Sequence, residues 1–187
     1  MVANSRKDNL SKEFLRECFD YDELTGKCIW RMRPDHHFKS EAMKNRWSST
    51  KVGKEVGCNV PSGSAKGYIV TKIEKRTWYL HRLIYTWMTG EIAINVDHKN
   101  LCRSDNRWEN LRNATIEDNC RNVKSRSEAG YKGVYRSGTK FRARIKVASK
   151  NIGLGTFCCA EDAARAFDEA AKEIHGEFAL LNFPEGK

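Results

Sequence analysis

Apolar and polar residues alternate along the chain with two periods, and together they predict short strands mixed with helices. In the amino-terminal half, a first helix is predicted over 11–19, and a hairpin is predicted to turn at Thr25 and Gly26. Two further strands, within 67–81, are expected to meet at residues 74–76. The apolar residues then recur three or four positions apart, which predicts one buried face of a helix that ends at Gly90. That face carries Leu80, Leu83, Ile84, Trp87 and Met88.

The carboxy-terminal part is predicted to form a separate unit after a short linker. Residues 121–129 are polar and basic with few large apolar side chains, which is typical of a linker. Three strands are predicted to follow, with turns at Ser137 and Gly138 and at residues 149–151. The last predicted helix ends at Gly176. Its apolar face is expected to comprise Ala164, Phe167, Ala171 and Ile174.

The excess of basic residues narrows the range of partners. Lysine and arginine number 34 against 24 aspartate and glutamate residues, so the formal net charge is +10. Such a field attracts polyanions without identifying which one. No apolar run is long enough to span a bilayer, and the first residues lack the apolar core of a signal peptide. A cytosolic protein without membrane contact is therefore expected.

The cysteines indicate a protein without disulfides. There are seven of them, an odd number, and no two are spaced as Cys-x-x-Cys, which argues against a disulfide framework or a thiolate zinc site. They are expected to be reduced and mostly buried. His36 and His37 could join Cys28 or Cys58 in a metal site, although this spacing matches no common pattern.

Residues 34–64 form a polar and basic stretch that is rich in glycine and serine. This composition predicts a long excursion on the surface. Two interpretations remain open for it, a solvated loop or a segment that lies against DNA.

The most informative stretch, 96–119, concentrates polar residues that suit phosphodiester hydrolysis. These residues are Asp97, His98, Asp105, Asn106, Asn110 and Asn119. Hydrolysis of a phosphodiester needs a deprotonated water and a positive charge that stabilises the leaving 3′ oxygen. A histidine can take that proton at neutral pH. Carboxylate and amide oxygens suit a hard divalent ion such as Mg²⁺.

This stretch resembles the HNH nuclease family, in particular its subgroup of phage-encoded and intron-associated homing endonucleases. The resemblance implies a ββα-metal motif over 94–122, with Mg²⁺ or Mn²⁺ as the cofactor. It further implies that Asp97 and Asn119 bind the metal, that His98 is the general base, and that Asn110 braces the loop so that His98 is oriented. Adjacent residues on a strand point to opposite faces, so Asp97 and His98 can share a site only if the strand ends or twists there. Residues 99–100 are expected to end it.

Several of these residues have structural alternatives. Asp105 and Asn106 fit a turn or a helix cap, which is the preferred interpretation for both. His81 is interpreted as a partly buried, hydrogen-bonded structural histidine rather than as a catalytic one. Three arginines could clamp the phosphate or remain solvated, namely Arg103, Arg107 and Arg112.

One feature departs from the family pattern. Many HNH enzymes carry paired cysteines that bind a structural zinc, whereas here only Cys102 and Cys120 lie near the motif. No structural zinc is therefore expected, and the apolar core should hold the fold.

The predicted carboxy-terminal sheet segregates its charge onto one face. Apolar and basic residues alternate over 141–147, so one face is expected to pack on the helix and the other to be cationic. The basic residues of this region are Lys132, Arg136, Lys140, Arg142, Arg144, Lys146 and Lys150. The cationic face is either solvated or holds DNA, since a three-stranded sheet is wide enough to enter a major groove.

The same region, over 130–184, resembles the Apetala-two/ethylene-response-factor DNA-binding domain through YKGVYR, KFRARIK, LGTF, AEDAARAFDEAA and GEFALLNFP. The resemblance implies DNA contacts from Lys132, Tyr135, Arg144, Lys146 and Asn151, and Arg136 and Arg142 are expected to join them. Several positions depart from the plant pattern. Plant members usually hold arginine where this chain has Lys132, Tyr135 and Asn151. They usually hold an acidic residue in place of Arg144 and a tryptophan in place of Gly153. Since arginine binds a guanine edge through two hydrogen bonds and lysine mostly supplies a point charge, we expect backbone-dominated binding and no transfer of the plant target sequence.

Together the two resemblances predict an α+β protein. An HNH domain is expected over 1–120, a linker over 121–129, and over 130–187 a DNA-binding domain in which a three-stranded antiparallel sheet packs on one helix. The expected activity is that of a homing-type endonuclease that nicks or cuts double-stranded DNA, as a monomer or weak dimer, in a bacterial or phage-infected cytosol. The alternative is a catalytically inactive, sequence-specific DNA-binding regulator. RNA recognition is less favoured because the sheet lacks aromatic stacking rows apart from Tyr135.

Overall fold

The chain folds into two units, each of which combines helices with small antiparallel sheets. The computed structural model describes residues 10–92, 95–115, 118 and 127–184. The units are Met1–Asn113 and Ala114–Lys187. Most of the predicted linker, residues 121–126, lies outside the described residues. Within the described residues, no helix is long and apolar enough to cross a membrane.

The first unit contains three helices and three small sheets among its described residues. Its helices are α1 (Lys12–Cys18), α2 (Glu41–Thr50) and α3 (Leu80–Thr89). Its strands are β1 (Phe19–Tyr21), β2 (Cys28–Trp30), β3 (Cys58–Asn59), β4 (Ile69–Ile73), β5 (Arg76–Tyr79), β6 (Val96–His98) and β7 (Leu111–Asn113). The sheets are β1-β2, β3-β4-β5 and β6-β7, and every pairing is antiparallel.

The periodic segments of the first unit fold as their sequences predict. Helix α1 begins after Ser11, whose hydroxyl accepts a hydrogen bond from the Phe14 backbone nitrogen. Helix α3 ends at Gly90, which adopts a left-handed conformation with φ 86°. The core between these helices and the sheets contains Leu15, Phe19, Trp30, Ile73, Leu80, Leu83 and Ile84. The first helix, the hairpin at 25–26 and the helix over 80–89 are thereby confirmed.

The stretch 34–64 lies largely on the surface, as its composition predicts, but it is not a loop. It contains a 3₁₀ turn (Asp35–His37), helix α2 and strand β3. Trp47 of α2 packs against the core, and its indole nitrogen donates to the Arg31 carbonyl at 3.1 Å. Val56 is buried. The loop interpretation was wrong because two apolar side chains spaced far apart in the sequence are enough to hold this segment on the core.

The second unit is a three-stranded antiparallel sheet covered by one helix. Its elements are β8 (Val134–Ser137), β9 (Lys140–Val147), β10 (Lys150–Phe157) and α4 (Ala160–His175), followed by a 3₁₀ turn (Gly176–Phe178). Strand β9 lies in the centre. The second turn falls one residue earlier than predicted, because Ala148 and Ser149 take positive φ angles and Lys150 already pairs with Val147.

Helix α4 packs on the inner face of the sheet. Ala143 and Ile145 of β9 are buried, and from the helix Ala164, Phe167 and Ala171 are buried as well. Ile174 was expected on the same face but is 39% exposed, since the last turn of α4 extends past the sheet core.

The described cysteines are free thiols, as expected, but they are not mostly buried. Cys18 and Cys28 are buried in the first unit, whereas Cys58, Cys102 and Cys158 are exposed. Burial raises the pKa of the Cys18 thiol to about 12, which makes it unreactive. Cys120 lies outside the described residues.

Candidate functional site

The hairpin of β6 and β7 presents Asp97 and His98. In its register Asp97 lies opposite Arg112, and His98 lies opposite Leu111. Strand β6 ends at His98, and the turn at 99–100 follows. Because both residues are paired within the hairpin, their side chains leave it on opposite faces, and the sharing of one site by Asp97 and His98 stays a prediction.

The His98 side chain is buried in a polar and aromatic pocket. It is 3% exposed. Its Nε2 lies 3.1 Å from Oδ1 of Asn106, and its ring is 5.9 Å from the ring of Tyr68. Burial lowers the pKa of His98, while the bond to Asn106 acts in the opposite direction. The imidazole is therefore neutral at neutral pH, as a general base must be.

Asn106 is the residue that the sequence did not identify as part of the site. Its side chain touches His98, and Tyr21 donates from its hydroxyl to the Asn106 carbonyl at 2.8 Å. The turn at Gly26 packs closely against this loop. A Cβ added at Gly26 would lie only 2.6 Å from the backbone nitrogen of Arg107, so the close packing requires glycine. A turn residue was the preferred interpretation. Asn106 is instead buried, at 2% exposed, and the sequence carries no signal of this burial other than Trp108 two positions later.

Asn110 braces the loop that leads from His98 to Asn106. Its Oδ1 accepts from the Asn100 backbone nitrogen at 2.9 Å, and its Nδ2 donates to the Asp105 carbonyl at 2.7 Å. Lys99 also donates from its backbone nitrogen to the Asn110 carbonyl at 2.9 Å. Asn110 thus acts on the backbone of the loop and reaches His98 only through it.

Asp97 forms an ion pair with the arginine directly across the hairpin. Nη2 and Nε of Arg112 lie 2.7 and 3.0 Å from Oδ2 of Asp97. The two side chains are only 10% and 11% exposed. A carboxylate oxygen is thus held beside the end of β6, and its charge is balanced by a guanidinium.

The other two candidate phosphate-clamp arginines also bind groups of the protein. Arg103 donates to the carbonyls of Ser64 and Lys66 at 3.3 and 3.0 Å, and its guanidinium lies 4.6 Å from the centre of the Tyr68 ring. Arg107 binds the Asp105 carboxylate with two bonds of 2.9 and 2.8 Å. Arg103 is exposed near the His98 pocket, which makes it the arginine best placed to meet a phosphate.

Asn119, the second metal ligand that the HNH resemblance implies, lies outside the described residues. Just before it, Thr115 and Asp118 cap each other. The Asp118 carboxylate accepts from the Thr115 backbone nitrogen at 3.0 Å, and the Thr115 hydroxyl accepts from the Asp118 backbone nitrogen at 3.1 Å. Asp118 is helical, and this reciprocal pair is typical of a helix start.

His81 is buried beside His98. The two imidazole rings lie 4.8 Å apart in an edge-on arrangement, and the ring of Tyr68 is 5.0 Å from His81. His81 is more deeply buried than expected, at 3% exposed, and its Nδ1 bonds to no described residue. Burial lowers the pKa of His81 to about 3.

The outer face of the carboxy-terminal sheet is cationic. Its exposed side chains include Tyr135, Arg142, Arg144, Lys146 and Asn151. Arg136 was expected to join them, but it lies opposite Phe141 and so belongs to the other face of the sheet. Tyr135 lies opposite Arg142, and Asn151 lies opposite Lys146. The guanidinium of Arg144 stacks 4.0 Å from the centre of the Tyr135 ring. The alternation of apolar and basic residues in β9 thus produces the two-faced sheet that the sequence predicts.

Lys132 differs from the other residues expected to touch DNA. Asn182 holds its backbone through bonds of 2.6 Å to the nitrogen and 3.1 Å to the carbonyl. Burial lowers the pKa of the Lys132 ammonium, while the charge of Asp168 acts in the opposite direction. Lys132 is therefore partly buried next to α4 rather than exposed with the cationic face.

Comparison with protein families identifies the segment around the hairpin. Residues 78–121 match the family model described as HNH endonuclease. The match includes α3, β6, the loop with Asn106, and β7.

Comparison with curated proteins identifies plant transcription factors over another segment. The chain is 38% identical over 65 residues to the Dehydration-responsive element-binding protein 2E of Arabidopsis thaliana, covering 35% of this chain and 27% of that protein. It is 47% identical over 58 residues to the Ethylene-responsive transcription factor 1 of Solanum lycopersicum, covering 29% of this chain and 24% of that protein. The chain thus spans roughly a quarter of the length of these relatives. The protein thus combines a segment that matches the HNH endonuclease family model with a region similar to plant ethylene-responsive transcription factors.

Proposed function

We propose that this protein is a metal-dependent endonuclease of the homing type that nicks or cuts double-stranded DNA. The observation that carries the proposal is the arrangement of His98, which is buried, neutral and bonded to Asn106 at the end of the strand that presents Asp97. A hydrolytic site of this kind needs a neutral base and an acidic metal ligand, and these two adjacent residues supply both groups.

The oxygen donors near β6 fit a hard divalent ion. Asp97 would supply a carboxylate oxygen and Asn119 an amide oxygen, and such donors are those that Mg²⁺ or Mn²⁺ prefers. A bound ion of this kind supplies positive charge for the leaving oxygen. Arg112 holds the Asp97 carboxylate at 2.7 Å, so the ion and the guanidinium would share or exchange this ligand.

In the proposed mechanism, Asn106 sets the tautomer of His98. Its Oδ1 lies 3.1 Å from Nε2 and accepts, so Nε2 carries the hydrogen and Nδ1 carries the lone pair. Nδ1 takes a proton from water, and the resulting hydroxide attacks the phosphorus. The bond from phosphorus to the 3′ oxygen then breaks, and that oxygen is protonated from solvent. Asn110 keeps the loop in the shape that places Asn106 against His98.

The cationic sheet face of the second unit would hold the DNA. Its exposed arginines and lysines suit contacts to the phosphate backbone, and the relatives named above are a dehydration-responsive element-binding protein and a transcription factor. Binding dominated by the backbone follows from the positions at which the plant arginines are replaced. We propose a monomer or weak dimer, which would nick one strand per encounter.

A cleavage assay on supercoiled plasmid tests the enzymatic proposal. With Mg²⁺ or Mn²⁺, the wild-type protein should convert the plasmid to nicked or linear forms. His98→Ala should abolish cleavage and retain DNA binding, because the base is lost while the cationic face is not. Asn113→Ala, which changes an exposed residue of the same hairpin, should cleave normally.

The second candidate is a DNA-binding regulator without nuclease activity. The curated relatives and the ion pair between Asp97 and Arg112 both favour it. This candidate predicts that the wild-type protein binds DNA and leaves every tested plasmid intact with either ion.

A further inference from the structure

Three side chains of a metal-binding type meet in the first unit, away from the hairpin of β6 and β7. Glu17 lies on α1, and His36 and His37 lie on the 3₁₀ turn after β2. Nε2 of His37 is 2.9 Å from Oε2 of Glu17, and Nε2 of His36 is 3.9 Å from the same oxygen. One donor atom from each residue lies within 4.8 Å of the other two.

Rigid neighbours hold two of these donors in place. The ring of His37 packs against the ring of Phe14, with centroids 4.9 Å apart, and Phe14 precedes Glu17 by one turn of α1. The rings of His36 and His37 lie 4.5 Å apart at 85°, and the Nε2 atoms of both rings lie 3.9 Å or less from Oε2 of Glu17. Lys44 of α2 holds the start of the turn through a 2.9 Å ion pair with Asp35.

The chemistry of the donors selects the class of ion. Two imidazole nitrogens and one carboxylate oxygen suit zinc and similar transition metals, whereas Mg²⁺ prefers oxygen donors alone. Two histidines and a glutamate, with water as the fourth ligand, form a known tetrahedral zinc set. In such a set the donors lie about 3.3 Å apart, and the two separations of 2.9 and 3.9 Å bracket that value.

Arg33 brings a positive charge close to His37, and Glu74 balances that charge through an ion pair of 4.0 Å. The nearby guanidinium of Arg33 is directed over the Trp47 ring, 4.1 Å from its centre. Cys28, which the sequence offered as a partner for these histidines, is instead buried in the core. The partner that completes the set is Glu17, which is far from them in the sequence and adjacent in the fold.

We propose that Glu17, His36 and His37 bind one transition-metal ion of the zinc class, which clamps the turn at 35–37 to helix α1. The ion stabilises a turn that is already folded and is not required for folding. This site is independent of the proposed nuclease chemistry, because it shares no residue with the hairpin of β6 and β7.

Zinc binding by the full-length chain tests the proposal. The protein is dialysed against about micromolar Zn²⁺ in excess Mg²⁺, so that oxygen-rich sites are filled by magnesium, and bound zinc is counted by atomic emission. Four proteins are compared, namely wild type, Glu17→Gln, His36→Ala and the control Glu13→Gln. Glu13 is an exposed carboxylate one turn earlier on the same helix. Zinc held by exposed cysteines is common to all four and cancels in the differences.

The wild type and Glu13→Gln should each bind one more zinc ion per chain than Glu17→Gln and His36→Ala. Zinc should also raise the melting temperature of the first two proteins more than that of the other two, since it binds the folded state. His36 is 70% exposed, so His36→Ala should melt as the wild type does when zinc is absent. Equal zinc content in all four proteins would overturn the site, and an equal zinc-induced rise in melting temperature would overturn the clamp. Neither outcome depends on whether the protein cleaves DNA.

Discussion

Arg112 and Asp97 face each other across the β6–β7 hairpin, and the guanidinium binds the carboxylate at 2.7 Å with both side chains almost fully buried. The residue proposed to bind a divalent ion therefore already has a cationic partner. A buried pair of this kind is costly to break from one side only, because the remaining charge stays desolvated.

The first prediction follows from this pair. Arg112→Gln leaves the Asp97 carboxylate without its guanidinium, so the first unit should lose about 3 kcal/mol of stability in EDTA. The divalent ion then becomes the main partner of the carboxylate, and Mg²⁺ should raise the melting temperature more in the variant than in the wild type. Thermal unfolding with and without Mg²⁺ measures both effects.

Two further proteins complete that measurement. Arg112→Gln combined with Asp97→Asn should recover stability in EDTA and lose the response to Mg²⁺. Arg107→Gln, which removes a partly buried pair with Asp105, should respond to Mg²⁺ as the wild type does. An identical Mg²⁺ response in Arg112→Gln and the wild type would mean that Asp97 is not a ligand.

The second prediction concerns the pH dependence of cleavage. Neutral His98 is the active form, and burial lowers its pKa below the usual 6.5. Activity should therefore persist as the pH falls to 6.5 and be lost only below it. Asn106→Asp places a carboxylate near Nε2, which stabilises the imidazolium, so the acid limb should move upward by about one pH unit or more. The rate of plasmid nicking against pH measures this shift.

Asn113→Asp is the matched control for that experiment. It adds the same charge to an exposed position of the same hairpin, and its acid limb should stay with that of the wild type. If Asn106→Asp is active and loses activity at the same acidic pH as the wild type, the contact between Asn106 and His98 does not govern the reaction.

The third prediction concerns stability and His81. Its folded-state pKa is lowered to about 3, whereas the unfolded chain titrates near 6.5. Between these values the unfolded state binds a proton that the folded state does not, so the free energy of unfolding falls as the pH falls. The slope for one such proton is about 1.4 kcal/mol per pH unit. Between about pH 6.5 and pH 4.5, the free energy of unfolding measured in urea should therefore fall by about 2 kcal/mol more in the wild type than in His81→Gln. Parallel losses in the two proteins would show that His81 protonates freely in the folded state.

The fourth prediction concerns the stack of Arg144 on Tyr135. If Arg144 contacts a phosphate, Arg144→Gln should lower the log–log slope of DNA affinity against salt by about 0.9. Tyr135→Leu removes the ring that supports the guanidinium and should weaken binding, whereas Tyr135→Phe keeps the ring and should bind as the wild type does. Fluorescence anisotropy with labelled duplex DNA measures all three. A slope unchanged by Arg144→Gln would place Arg144 away from the backbone.

Much of the fold could be predicted because it depends on local patterns. The apolar spacing in 80–88 is enough to define a helix and its buried face, and the alternation in 141–147 is enough to define a strand with one cationic side. The prediction failed where the structure depends on a tertiary contact instead. The segment 34–64 lacks apolar periodicity, and its helix α2 is held on the core mainly through Trp47, a tertiary contact that composition does not reveal.

The sequence by itself determined which residues are available for chemistry, namely Asp97, His98 and Asn110 at their spacing, and a basic sheet that follows them. Only the tertiary structure decided which side chains touch. It brought Asn106 to Nε2 of His98, His81 against its ring, Arg112 to Asp97, and Glu17 to His36 and His37. The physical reason is that periodicity is a short-range property of the chain. Contacts such as these depend on hairpin register, on loop paths and on how helices pack over a shared core.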